Sequence, residues 1–143
     1  KVPRKANFSK LVKEYSAKVY KEIATFENYS NYIPNCSSAK LIEKNDSFEI
    51  GELQFNFFLK NYSIKSKNIL MENSIKISQI DGPFESFEGE WTIKQKDKYL
   101  TEINFSSEFE LPFLLDNLIP DQLINTFSDA AMEAFIDRLT KKK

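Results

Sequence analysis

From residue 38 to residue 111 apolar and polar positions alternate with a period of two, in runs broken by Asn45-Asp46, Asn61, Glu72-Asn73, Asp81-Gly82-Pro83 and Lys96-Asp97-Lys98. These runs predict six strands, over 38–44, 48–59, 62–71, 74–80, 84–95 and 99–111, joined closely enough for an antiparallel meander. Leu53, Phe55, Phe57 and Leu59, then Ile75 and Ile77, then Phe87, Trp91 and Ile93, then Ile103, Phe105, Phe109 and Leu111 fall on one face. The positions between them, such as Glu52, Gln54, Glu88, Glu90, Glu108 and Glu110, are polar. One face is therefore wet, and the other needs a cover.

Residues 8–14 add a short, imperfect alternation that reads as a further strand. Ser16 stands at an N-cap position before a short helix with Val19, Ile23 and Phe26 on one face. A further helical turn runs from Glu27 toward Tyr32, and Pro34 biases Ile33 away from helix and ends it. The cover is expected from the last segment, beginning at Phe113 or Pro120, where Leu123, Phe127, Ala130, Ala131, Ala134, Phe135 and Leu139 keep helical spacing. Pro120 in its first turn, Asp121 beside it and Lys141, Lys142 and Lys143 at the far end suit one long helix. The expected fold is α+β, with a curled antiparallel sheet closed around an apolar pocket by the C-terminal helix. No repeat or linker interrupts it, so residues 1–143 read as one domain.

Composition narrows the function. No apolar run reaches the roughly 20 residues of a membrane-spanning helix. Lys1-Val2-Pro3-Arg4 lacks the apolar stretch of a secretory signal, so the expected location is the cytoplasm, with the periphery of the inner membrane as the alternative. The single cysteine, Cys36, excludes an internal disulfide and a cysteine zinc cluster, and reads as a structural thiol. Net charge is -1, which argues against DNA as a partner. Lys10, Lys13, Lys18 and Lys21 nevertheless stand in a stretch opposed only by Glu14 and Glu22, and form a candidate partner-binding patch. Charge runs more often do no more than solvate a surface.

The chain has no histidine, which removes the commonest general base and metal ligand, and no phosphate-binding glycine loop. No metal, no catalytic residue and no resident cofactor are expected, and the chain reads as a binding protein and not an enzyme. Thirteen Phe, six Tyr and one Trp are the positive feature. Part of that excess is core. The rest points to an aromatic-lined pocket, with Phe55, Phe57, Phe87, Trp91, Phe105, Phe109, Phe127 and Phe135 as candidate ligand-binding residues.

The stretch Asp81-Gly82-Pro83-Phe84, followed by Phe87-Glu88-Gly89-Glu90-Trp91, resembles the "DGPF…LEG.W" segment of the polyketide-cyclase-like, coenzyme Q-binding branch of the START-related proteins. Tyr15-Ser16-Ala17, the series Glu27, Tyr29, Tyr32, Pro34 and Cys36, Glu108-Phe109-Glu110, and Met132-Glu133-Ala134-Phe135 resemble further segments of the family in the same order. The chain departs from it at Asn35, where a Trp is usual, and at Ser30-Asn31, where Pro-Glu is usual. The resemblance implies a helix-grip fold whose sheet wraps the C-terminal helix and leaves a tunnel for a lipid-like molecule. It implies two functions: binding ubiquinone or a related isoprenoid lipid in support of respiratory electron transfer, with transient contact to a membrane surface, or binding the large ribosomal subunit and blocking subunit association, as a ribosome-association toxin does. Cyclisation of a polyketide, suggested by the family's name, ranks last because of the missing histidine.

Overall fold

The structure, a computed structural model, describes residues 2–140. Lys141, Lys142 and Lys143, expected at the far end of the C-terminal helix, lie outside the described residues, as does Lys1. Seven strands form one sheet: β1 (Arg4–Val12), β2 (Cys36–Lys44), β3 (Glu49–Phe57), β4 (Lys60–Leu70), β5 (Ser74–Asp81), β6 (Ser86–Asp97) and β7 (Leu100–Glu110). Their order is β1-β7-β6-β5-β4-β3-β2, with every neighbour antiparallel. The hairpins keep chain order, and only β1 crosses to the far edge. Register shifts at Leu41/Glu43, Lys65/Ser66 and Gln95/Asp97 add the local twist that curls such a sheet.

The helices fill the concave side. Helix α1 (Ser16–Ala24) and a 3₁₀ turn at Phe26–Asn31 close one end, while α2 (Phe113–Leu118) and α3 (Asp121–Thr140) run from the other. Val19 and Ile23 of α1, Trp91 and Ile93 of β6, Ile103 of β7, and Phe135 and Leu139 of α3 form the main core, all at most 5% exposed. Thr101, fully buried, donates from Oγ1 to the Glu14 carbonyl at 2.6 Å and so fixes the β1–α1 connection. In the same last turns of α3, the Arg138 guanidinium lies over the Tyr32 ring at 4.8 Å, with its Nε 3.1 Å from Glu22 Oε1 but off hydrogen-bond alignment.

Several expectations need correction. Of the two starts expected for the long C-terminal helix, Pro120 holds and Phe113 does not: Ile119 before the proline is extended (φ -103°, ψ 111°), so α2 is a separate short helix and α3 runs from Asp121. Arg4 holds the short first piece: its Nε donates to Asp116 Oδ1 at 3.0 Å and its second terminal nitrogen to the Asp116 carbonyl. Ser16 is the first helical residue and not the cap; Tyr15 occupies that position, and Gln95 Oε1 accepts the Ser16 N–H at 2.8 Å. The first strand begins at Arg4 and not at residue 8, because β7 offers partners that far.

Leu59 is not on the covered face. β3 stops at Phe57, which pairs with Lys60, and Phe58 and Leu59 form the two-residue turn with φ of 53° and 63°. Such turns normally carry Asn-Gly, so this one has no turn signature in the sequence. Leu59 points fully into solvent.

Candidate functional site

Between the sheet and α3 lies a cavity of about 340 Å³, within the usual range of ligand pockets of roughly 300–1,000 Å³. All eight aromatic residues singled out from the sequence line it. Period-two geometry explains why: Phe55 and Phe57 on β3, Phe87 and Trp91 on β6, and Phe105 and Phe109 on β7 all point to the concave side. Phe127 and Phe135 come from one face of α3. Phe127 packs on Phe57 at 5.0 Å and Phe55 at 6.0 Å, while Phe135 meets Trp91 edge-on at 5.3 Å. The rings form three groups around the cavity, one of Phe55, Phe57 and Phe127, one of Phe84, Phe87 and Phe109, and one of Trp91, Phe105 and Phe135.

The motif at 81–91 has a structural explanation. Gln79 holds both backbone groups of Phe84, donating from Nε2 to its carbonyl at 2.8 Å and accepting its N–H at 3.1 Å. That places the Phe84 ring against Phe87 at 5.1 Å and Phe109 at 5.4 Å. Gly89 lets the Phe105 ring lie directly on the strand, where a Cβ would stand 3.1 Å from Phe105 Cζ, and Phe105 then reaches Trp91 at 4.7 Å.

Polar side chains at the wall are mostly engaged. Tyr29 donates from its hydroxyl to the Ile23 carbonyl at 2.6 Å, and Ser107 from Oγ to the Ala6 carbonyl at 2.7 Å. Burial pushes the Tyr29 hydroxyl well above its ordinary pKa, so it stays a neutral donor. Cys36 also lines the cavity, and burial raises its thiol. Tyr29, Tyr62, Phe84, Leu115 and Ile119 line the wall without having been singled out. Tyr29 and Tyr62 carried a signal in the aromatic excess, whereas Leu115 and Ile119 depend on the break in the C-terminal helix, which spacing does not reveal. Among the described residues no three His, Cys, Asp or Glu side chains are grouped to hold a metal ion, and no helix is long and apolar enough to cross a membrane.

Lys10, Lys13, Lys18 and Lys21 are all exposed. Lys10 sits on the edge strand β1, Lys13 in the connection that follows, and Lys18 and Lys21 on α1. Lys18 Nζ is paired with Glu14 Oε2 at 2.8 Å, so its charge is partly matched within the chain.

Residues 16–136 match the family described as "Polyketide cyclase / dehydrase and lipid transport". The chain belongs to this family. Relatives within reach of sequence comparison include the Ribosome association toxin RatA of Vibrio cholerae, 21% identical with 91% of each chain covered. The Ribosome association toxin RatA of Rickettsia prowazekii is 25% identical, over 87% of this chain and 86% of the relative. Among solved structures, the Zhui aromatase/cyclase from Streptomyces sp. R1128 superposes with a TM-score of 0.82 at 16% identity, covering 96% of this chain and 93% of that one. A START superfamily protein from Mycobacterium smegmatis gives 0.80 at 13% identity, covering 94% and 96%. The fold is the START-like helix grip expected from the sequence.

These findings overturn one expectation. Lack of histidine was read as making the chain a binder and not an enzyme, yet the family takes in cyclases and dehydrases, and an aromatase/cyclase shares the fold. Histidine is a poor discriminator in such a cavity for a physical reason. Holding a flexible chain in a reactive conformation lowers a barrier by orientation and by excluding water, and neither needs an imidazole.

Proposed function

We propose that the cavity binds ubiquinone or a related isoprenoid lipid and that this binding supports respiratory electron transport. The observation that carries the reading is a cavity of about 340 Å³ lined by eight aromatic rings from the sheet and α3, with Tyr29 and Ser107 already bonded to backbone. Such a surface favours a long apolar chain at roughly 0.8 kcal/mol per buried methylene, with no charged anchor. Organic extraction of the purified protein followed by mass spectrometry tests it. A co-purifying quinone or polyprenyl lipid is expected, and its absence together with no uptake of added quinone refutes the reading.

Exposed apolar residues support loading from a bilayer. Val2, Leu59, Phe113, Leu114 and Leu118, each between 63% and 107% exposed, all lie at the end of the sheet where β3 turns into β4 and β7 leads into α2. Leu115 and Ile119 beside them line the cavity. The charges at this end, Asp81, Glu85, Asp116 and Asp121 against Arg4 and Lys60, suit the ammonium groups of zwitterionic headgroups better than an anionic surface.

A second reading, association with the large ribosomal subunit, is favoured by the names of the relatives that span most of the chain and by the four exposed lysines. Phosphate contacts make its affinity fall with salt. Co-sedimentation with large subunits at low salt, lost in a Lys10/Lys13/Lys18/Lys21→Glu variant, is the expected result. Equal sedimentation of the variant removes it.

A further inference from the structure

A smaller cavity of about 70 Å³ adjoins the large one, beneath α1 and the 3₁₀ turn. Tyr29, Leu53, Ser66, Ile77 and Trp91 line both, so the two are parted by side chains alone. The smaller one differs in chemistry. Glu49 and Asn68, register partners on β3 and β4 and each 8% exposed, are part of its wall. Ser66 donates from Oγ to Asn68 Oδ1 at 2.9 Å, which leaves the Asn68 amide N–H groups without a partner among the described residues. Lys44 Nζ stands 3.5 Å from Glu49 Oε2, and Glu49 Oε1 has no hydrogen-bond partner among the described residues. Both atoms retain access to open space. An amide donor and a carboxylate acceptor that both open onto one small cavity offer a single small polar group two complementary hydrogen bonds.

We propose that this smaller cavity is a head-group subsite for a neutral hydroxyl, such as that of an isoprenoid alcohol or phenol, whose tail lies in the larger cavity. The hydroxyl donates to Glu49 Oε1 and accepts from the Asn68 amide, satisfying both with one group. A carboxylate or phosphate head would set a second anion against Glu49 in a buried site and is rejected. The tail then runs past Phe55 and Phe127 toward Phe57 and Ile119, at the end where the apolar patch is exposed. This inference rests on the reading that the larger cavity holds an apolar chain.

Farnesol, farnesoic acid and the hydrocarbon farnesane share a branched skeleton and differ at the head, and Trp91, the only tryptophan, lines both cavities and reports binding by fluorescence. Farnesol is expected to bind at least about tenfold more tightly than farnesoic acid, the worth of one hydrogen bond or one repulsion. Glu49→Gln, nearly isosteric, is expected to erase that preference by admitting the acid. Asn68→Ala is expected to weaken farnesol about tenfold and leave farnesane unchanged; if it does not fold, the wild-type comparison and Glu49→Gln decide. Equal binding of alcohol and acid to the wild type, or a preference that survives Glu49→Gln, overturns the subsite and leaves the larger cavity's role standing. No binding of any of the three overturns both.

Discussion

The Phe58–Leu59 turn should become more stable when its apolar residues are removed. Both residues have left-handed backbone, at φ 53° and 63°, and a side chain there costs roughly 1–2 kcal/mol per residue. Phe58→Asn with Leu59→Gly installs the pair that this turn type prefers. Leu59 is 107% exposed, so its side chain contributes no burial, whereas Phe58, 47% exposed and 6.4 Å from the Phe57 ring, contributes some. Losing that contact costs about 0.5 kcal/mol, and glycine's freedom in the unfolded chain costs roughly 0.5–1 kcal/mol more. The balance is a gain of about 1 kcal/mol, or about 3–4 °C in Tm for a chain of this size. Thermal melting by circular dichroism reads it directly. Leu59→Ala keeps the Cβ and the strained backbone and should leave Tm where it is. A double variant that melts at or below the wild-type temperature would mean that the left-handed backbone of this turn carries no such strain. The same variant should bind phosphatidylcholine–phosphatidylethanolamine vesicles less well than the wild type, so that stability and membrane contact move in opposite directions.

Gly51→Ala should destabilise by about 2–3 kcal/mol, because the Phe26 ring occupies the place of the new Cβ and the strand backbone cannot yield; a urea midpoint within error of wild type would contradict this. Phe135→Ala removes a ring that touches Tyr29, Tyr32 and Trp91 and should cost about 3–5 kcal/mol in urea unfolding. A cost below about 1 kcal/mol would place Phe135 outside the core. Burial raises the Cys36 thiol, and proton loss then needs higher pH than in a free cysteine. Its reaction with a disulfide reagent at pH 7.5 should be at least about tenfold slower than that of free cysteine and slower still with ligand in the cavity. Reaction at the rate of the free amino acid refutes that assignment.

Much of this fold was legible because period-two alternation is a direct record of which side chains face a core. The alternation places Phe55, Phe57, Phe87, Trp91, Phe105 and Phe109 on one face, and the curl of the sheet then gathers them around one cavity. Phe127 and Phe135 were legible from helical spacing. What escaped depends on tertiary context. The turn at Phe58–Leu59 is held by pairing of β3 with β4 against the preferences of its own residues. The break at Ile119-Pro120 looks in sequence like an ordinary helix start. Glu49 and Asn68 carried no signal as a pair, because their pairing follows from the register of β3 with β4 and their burial from the cover of α1 and the 3₁₀ turn. The function class was less legible than the fold, since the absence of one residue type says little about chemistry that depends on shape.

An isoprenoid quinone or similar lipid in the aromatic cavity would lie against Trp91, the only tryptophan, whose fluorescence reports it directly. Titration with a short-chain ubiquinone analogue should quench Trp91 saturably, with one molecule bound per chain and displacement by farnesol. Quenching that rises linearly with quinone, as free collision gives, or no quenching up to the solubility limit, would mean that the cavity does not hold a quinone.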